Sequence, residues 1–445
     1  MATANQFIKP LTTKVNSNGN LEVGGCDLLD LADRYGTPLY VLDEFTLRSI
    51  CKSYANAFSR YPKAQMMYAS KALCSLATTA IIAQEGFGFD VVSSGEIYTV
   101  YKAGVDMSKV LFNGNNKSYD ELSLALELNV GRISVDNFLE LSMLNEIAKS
   151  QDKIVSVLLR ITPGIECHTH EYIQTGHLDC KFGFDLTQID EVIELILNEY
   201  TNLKLCGLHA HVGSQIFETS IFADEIEILI KEIARIKSKY NVELEEINIG
   251  GGLGVKYVDS DCPPSVDEIA EVIIEKMYEA TAKYNVELPI LILEPGRSIV
   301  STAGVTLYTI GGSKQVPNAT KYVFVDGGMA DNIRPAMYQA EYFAEIVNKS
   351  EQAEALQKVT IAGRFCESGD ILIKDFELPN PEEGDILCVY NTGSYNYSMA
   401  SNYNRVQRPA MVLVNNSQSD IIVNRETLED LISHEVIPNR VKDLC

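Results

Sequence analysis

The stretch Met66-Met67-Tyr68-Ala69-Ser70-Lys71-Ala72 decides how the chain is read. It begins short and apolar, as a buried strand does, and the run from Leu73 to Ala83 continues it as an amphipathic helix. Lys71 falls where the strand has ended and the helix has barely begun. A lysine there is not on a solvated helix face. It stands at the carboxyl end of a buried strand, where α/β folds carry their chemistry. Taken alone it reads as an ordinary surface lysine, because lysine is seldom buried. The rest of the chain moves that reading.

From about residue 64 to 296 one unit recurs: a short apolar strand ending in polar or glycine residues, then a helix. The strands are expected at Met66–Ser70, Phe89–Ser93, Val110–Asn113, Arg132–Val135, Ile154–Ile161, Leu203–His211, Glu246–Ile249 and Pro289–Glu294. Helices are expected near 78–85, 95–103, 118–129, 137–149, 187–200, 219–239 and 265–284. The clearest, 219–239, carries Ile221, Phe222, Ile226, Ile228, Leu229, Ile230, Ile233 and Ile236. Strands alternating with helices imply a parallel sheet, and eight of them imply a closed (β/α)8 barrel.

After Gly296 the rhythm changes. Strands at Gly304–Ile310, Tyr322–Asp326, Lys358–Ala362, Ile371–Phe376, Asp385–Val389, Ala410–Val414 and Asp420–Asn424 follow one another with turn signals and no helices between them. This reads as an antiparallel β domain. Leu21–Asp27 and Pro38–Asp43 are also strand-like and are expected to pair with it. The division expected is therefore a barrel over 44–296 and a β domain, sandwich-like or barrel-like, made of 1–43 and 297–445.

Composition narrows the function. The chain has 445 residues, 46% of them hydrophobic, enough for large cores in two or three domains. A net charge of −24 disfavours nucleic acid as a partner. Ten cysteines at irregular spacing, with no CxxC pair, suit a reducing compartment better than a disulfide framework or a structural zinc site. With no apolar run of membrane-spanning length and a polar segment from Met1 to Asn20, the expectation is a cytoplasmic enzyme with no membrane association.

In a barrel the strand ends and the loops after them build the site. Read in order they are Lys71, Asp90, Asn113, His209 with His211, Gly250-Gly251-Gly252-Leu253-Gly254, and Glu294. The glycine run can close backbone N–H groups on a phosphate or be a plain turn; its place after a late barrel strand favours phosphate, with Ser214 adding a hydroxyl. Glu294, at a buried strand end, needs a cation. Arg297 is the plain candidate, and a protonated ring nitrogen is the sharper one, since an acid that keeps a pyridinium protonated makes that ring an electron sink. His209 and His211 point the same way along one strand, as a pair of metal ligands does. His168, His170 and His177 cluster in one segment and His434 lies in the β domain, so a ring stacked over a cofactor suits them better than zinc. By themselves Cys366 reads as a buried small hydrophobe and Arg334 as a surface arginine. Lysine, phosphate loop, acid and flat histidine together point to pyridoxal 5'-phosphate.

The motifs Tyr68-Ala69-Ser70-Lys71-Ala72, His209-Ala210-His211-Val212-Gly213-Ser214-Gln215, Gly250-Gly251-Gly252-Leu253, Glu294-Pro295-Gly296-Arg297, Cys366-Glu367-Ser368-Gly369-Asp370 and Tyr395 to Asn404 occur in this order along nearly the whole chain. So do Thr162-Pro163-Gly164-Ile165-Glu166 and Lys181-Phe182-Gly183-Phe184. The chain resembles the diaminopimelate decarboxylases, pyridoxal-phosphate decarboxylases with an alanine-racemase-like barrel. The resemblance implies decarboxylation of meso-2,6-diaminopimelate to L-lysine, the last step of lysine biosynthesis. It implies Lys71 as the Schiff-base lysine, His211 stacked on the ring and Glu294 on the ring nitrogen. Ser214, Gly252, Glu294, Pro295, Gly296, Arg297 and Tyr395 would hold the cofactor. Arg297, Arg334, Tyr338, Glu367 and Tyr395 would hold the substrate, and Cys366 would return a proton. It further implies a homodimer in which Cys366 and Glu367 reach the other subunit's site. Gly363-Arg364-Phe365 and Gly393-Ser394-Tyr395 depart from the family's usual Gly-Pro and Gly-Ala-Tyr. The alternatives are a decarboxylase of ornithine, arginine or carboxynorspermidine, a non-catalytic relative, and a metal-dependent barrel hydrolase.

Overall fold

The computed structural model describes residues 2–164, 181–350 and 356–444. The stretch that includes Ile165, Glu166, His168, His170 and His177 lies outside the described residues. The chain forms two compact units, one of 1–11, 45–303 and 393–398, the other of 12–44, 304–392 and 399–445.

In the first unit the strands Ala64–Ala69 (β1), Gly88–Val91 (β2), Val110–Phe112 (β3), Arg132–Val135 (β4), Val155–Thr162 (β5), Leu203–His209 (β6), Glu246–Asn248 (β7) and Ile290–Leu293 (β8) follow the expected order. Each pairs in parallel with the next, and β8 pairs with β1, closing the barrel. The interior is filled rather than hollow: Met67, Leu111, Leu158, Cys206 and Ile292, from five different strands, form one buried cluster. The helix after β1 starts at Leu76, not Leu73. Ser70–Ala72 is a 3-10 turn, and Ser75 caps the helix by accepting from the Thr78 N–H, so Lys71 sits on a separate short turn. Residues 1–11, 297–303 and 393–398, expected with the β domain, cluster with the barrel. The reason is hydrogen bonding: Asn5 Nδ2 donates to the Gly254 and Pro264 carbonyls at 3.2 and 2.8 Å, and the Tyr395 N–H donates to the Ala72 carbonyl at 2.8 Å.

The second unit is built on Gly304–Gln315, which pairs antiparallel with Lys321–Val325, Ile386–Tyr390 and Leu39–Asp43. Leu39–Asp43 therefore joins this sheet as expected, whereas Leu21–Val23 and Cys26–Asp27 instead form a small sheet with Lys14–Val15. Two pairings are parallel, Lys321–Val325 with Leu356–Ala362 and Leu39–Asp43 with Ala410–Asn415. Neither pair is joined by a tight turn, so no hairpin sets its direction.

Behind the turn at Gly327-Gly328 the buried Asp331 accepts from Tyr308 Oη at 2.5 Å and from the Gly328 N–H at 2.9 Å. Burial pushes its carboxyl up to about 7, past the downward pull of those donors. A folded-state value above the unfolded one favours the neutral acid in the folded state. The stability it contributes is present below about pH 4 and lost as pH rises towards 7. Asp331→Asn, which stays neutral, is expected to gain stability relative to the wild type between pH 4 and pH 8 in urea melts; a constant offset would refute the shift.

Candidate active site

The carboxyl ends of the barrel strands carry the polar residues. The Ala69 N–H donates to the Pro295 carbonyl at 3.1 Å. On the other side of the turn, the Ala72 carbonyl accepts from the Tyr395 N–H and from Ser398 Oγ at 3.1 Å. Ser70 and Ala72 are buried, and Lys71 keeps exposed surface while its amine lies among the strand-end groups, partly stripped of water. The turn is pinned at both ends, and the amine alone leaves the wall. Burial pulls the Lys71 pKa down, but the facing Tyr395, Asp90 and Glu294 outweigh it, so the amine stays protonated.

Opposite the amine is a carboxylate held by amides. Glu294 Oε1 accepts from Asn248 Nδ2 at 2.7 Å and from Asn113 Nδ2 at 3.0 Å, and Oε2 lies 3.5 Å from His209 Nε2. Burial works against its charge, yet the His209 ring and the Asn248 amide hold it well below the ordinary carboxylate range. Asn113 Nδ2 also donates to Asp90 Oδ1 at 2.6 Å. Asp90 goes the other way: burial and the neighbouring Glu294 charge push its carboxyl well up. His209 Nδ1 is 2.8 Å from Ser134 Oγ. His211 accepts at Nδ1 from the Gly251 N–H at 3.3 Å, and burial with the Lys71 and Arg160 charges drives its pKa well down. It is a neutral, flat ring at neutral pH.

The glycine loop comes within reach of these groups. A Cβ on Gly251 would lie 2.1 Å from the Glu294 carbonyl oxygen, and Gly252 has φ +120 with the Gly213 oxygen 2.5 Å from where its Cβ would be. Only glycine fits both places. Arg297 donates to Ser214 Oγ through Nη2 at 3.0 Å and to Tyr257 Oη through Nη1 at 2.8 Å, and its guanidinium lies 4.8 Å from the Tyr395 ring centre. Tyr395 itself has φ 57. A hydroxyl, a fixed guanidinium and a glycine cradle make an anion site.

The structure thus brings together Lys71, His211, Ser214, Gly252, Glu294, Pro295, Gly296, Arg297 and Tyr395 in one unit. Arg334, Tyr338, Cys366 and Glu367 belong to the other. Within it, the buried Arg334 donates through Nε to Tyr342 Oη at 2.9 Å and lies 5.6 Å from the Tyr338 ring centre. Cys366 and Glu367 are exposed. Among the described residues, no group of three His, Cys, Asp or Glu side chains is placed to hold a metal. Sequence reading passed over Asn248, Tyr257 and Arg160. Arg160 sits near the end of β5, 3.8 Å from Asp136 and 4.1 Å from the Phe182 ring centre, and its charge reaches Lys71 and His211. Asn248, a polar residue closing a buried strand just before the glycine run, carried a signal; Tyr257 and Arg160 carried none.

A glycine cradle that any Cβ would fill, an accessible amine and a buried charged acid fit a phosphorylated pyridine aldehyde. Residues 47–301 match the family described as pyridoxal-dependent decarboxylase, pyridoxal binding domain. The chain is 49% identical to a diaminopimelate decarboxylase of Synechocystis sp., over 98% of this chain and 94% of that one. It is 48% identical to one of Bacillus subtilis, over 95% and 96%. A crystal structure of the M. jannaschii diaminopimelate decarboxylase in complex with L-lysine superposes with a TM-score of 0.91 at 36% identity, covering 98% of this chain and 100% of that one.

Asn248→Ala leaves the buried Glu294 with one amide donor fewer. It is expected to cost about 1–3 kcal/mol of stability at neutral pH, measured by urea unfolding of the protein without added ligand. No loss would mean the amide does not support the carboxylate.

Proposed function

The chain belongs to the diaminopimelate decarboxylases, within the pyridoxal-dependent decarboxylases, and from that premise we infer that it converts meso-2,6-diaminopimelate to L-lysine and CO2. This is the final step of lysine biosynthesis. Pyridoxal 5'-phosphate, when bound, supplies a carbonyl that condenses with amines and a protonated ring that takes up the electron pair left by CO2. The observation that carries this reading is Glu294: a carboxylate held charged in a barrel core, donor by donor, facing the amine of Lys71. A buried charge of this kind needs a cationic or N–H partner, and a ring N–H meets that need.

The residues divide the work. Lys71 Nζ would be the amine that holds the cofactor at its aldehyde carbon. Glu294 holds a proton at the ring nitrogen. His211, neutral and flat, covers a ring face without adding charge. Ser214, Gly252, Pro295-Gly296-Arg297 and Tyr395 grip the phosphate. Cys366 Sγ delivers a proton to the carbon that lost CO2, as a general acid. The far end of the substrate is a second amino acid centre. Arg297, Arg334 and Tyr338 suit its carboxylate and Glu367 its ammonium, with Tyr395 also lining the pocket. Ornithine, which has no distal carboxylate, would leave the arginines unpaired, a strong basis for rejection.

Cys366 and Glu367 are exposed on their own unit, which supports their use in the site of a second copy, in a homodimer. The cysteines among the described residues are free thiols, which supports work in a reducing cytoplasm. Among those residues no helix is long and apolar enough to cross a membrane.

Purified protein is expected to release CO2 and lysine from meso-diaminopimelate and to leave ornithine and arginine untouched; the reverse preference would overturn the substrate. Cys366→Ala is expected to lower turnover by about 10²–10⁴-fold while keeping the bound-cofactor absorbance. If subunits share sites, mixing inactive Lys71→Ala and Cys366→Ala proteins restores about a quarter of wild-type activity after exchange; none returns if each chain's site is its own.

A further inference from the structure

Resting on the reading that Cys366 returns the proton, we propose that Asp370 is the positioning residue that holds the Cys366–Glu367 loop in its working shape, with Asn404 as a second pin. Residues 363–370 contain no helix or strand, yet six of their N–H groups are tied. Gly363 donates to the Asp370 carbonyl at 3.0 Å, Arg364 to the Gly327 carbonyl at 3.0 Å, Glu367 to the Phe365 carbonyl at 2.8 Å and Asp370 to the Glu367 carbonyl at 3.1 Å. The Phe365 N–H donates to Asp370 Oδ2 at 2.8 Å, and the Cys366 N–H donates to Asn404 Oδ1 at 3.0 Å. Asp370 Oδ1 accepts from the Met329 N–H at 2.7 Å, joining this loop to the turn that leads to Arg334.

The carboxylate occupies a space that two glycines leave for it. A Cβ on Gly363 would lie 2.2 Å from Asp370 Oδ2, and one on Gly328 would lie 2.4 Å from Oδ1. Asp370 is 3% exposed and Phe365 is buried, while Cys366, Glu367, Ser368 and Gly369 are all exposed. The loop thus has a buried anchor and an unpacked, reactive tip. Within its own chain no packing fixes this tip, so the shape it brings to a second copy rests on the hydrogen bonds at its base. Shape matters because a displacement of about 1 Å in a reacting group can cost about 10²-fold in rate.

The chemistry asks for a carboxylate and not merely a polar residue. Both oxygens accept from a backbone N–H, one on each of two loops. An amide accepts at one position only and turns an N–H donor toward the other N–H. Asparagine is therefore not a substitute here, although it matches aspartate in size.

The test is a double-mutant cycle in the holoenzyme at saturating diaminopimelate, with rates taken per bound cofactor. Asp370→Asn is expected to lower kcat by about 10–100-fold with the cofactor absorbance intact. In the Cys366→Ala background the same change should lower kcat by less than about twofold, because its effect passes through Cys366. Equal losses in both backgrounds would show a general structural lesion and overturn the proposal. Full activity in Cys366→Ala alone would overturn the proton-donor assignment, and with it this proposal. Should Asp370→Asn fail to fold, Asn404→Gly removes the Cys366 N–H acceptor while suiting the φ of 51 at that position, and the same cycle with it decides the matter.

Discussion

The barrel is organised around keeping one carboxylate charged where water cannot reach it. Glu294 is fixed by amides from β7 and from the end of β3, with a histidine from β6 alongside. The donors from β6 and β7 belong to the strands that directly precede β8, whereas Asn113 reaches the same carboxylate from β3, across the closed barrel. Without them burial would neutralise the acid. Nearby acids show the contrast. Asp90 shares an amide with Glu294 and is pushed toward its neutral form. Glu225, fully buried with no hydrogen-bond partner among the described residues, is pushed the same way. At similar depth, the His209 ring together with the amide donors is what keeps Glu294 charged.

The same economy appears in the second unit. Asp370 takes two backbone N–H groups and ties two loops; burial raises its carboxyl, and pushes that of Asp331 up to about 7. Each acid replaces packing that glycine-rich turns cannot offer. Cys366 and Glu367 stand on a loop held this way, Arg334 and Tyr338 on a short helix after the Gly327-Gly328 turn, and Lys71 and Glu294 at barrel strand ends.

An overall charge of −24 sits oddly with a substrate that presents two carboxylates and a cofactor that carries a phosphate. The site answers locally. Lys71, Arg160 and Arg297 all lie at the barrel's strand ends, and the glycine loop adds backbone N–H groups. At these short ranges the local cations outweigh a distant, screened surface charge.

The alternation of strand and helix, and the strand count, were legible in the sequence because period and length survive in any context. The cofactor was legible because lysine, glycine run and strand-end acid each carry a local signal. The helix after Lys71 was placed three residues early, since the capping role of Ser75 competes with apolar periodicity and won. The β domain read as antiparallel, but two of its pairs are parallel, because long connections leave strand direction to tertiary packing. Arg160 and Tyr257 were invisible, as each matters only through partners up to dozens of residues away. The sequence by itself determined which polar groups stand at the barrel's strand ends, because residue type and strand-end position are local properties. Tertiary structure alone decided which acid is charged, which arginine is knotted to Ser214 and what holds Cys366 in place, because donors and acceptors meet only when the chain has closed on itself.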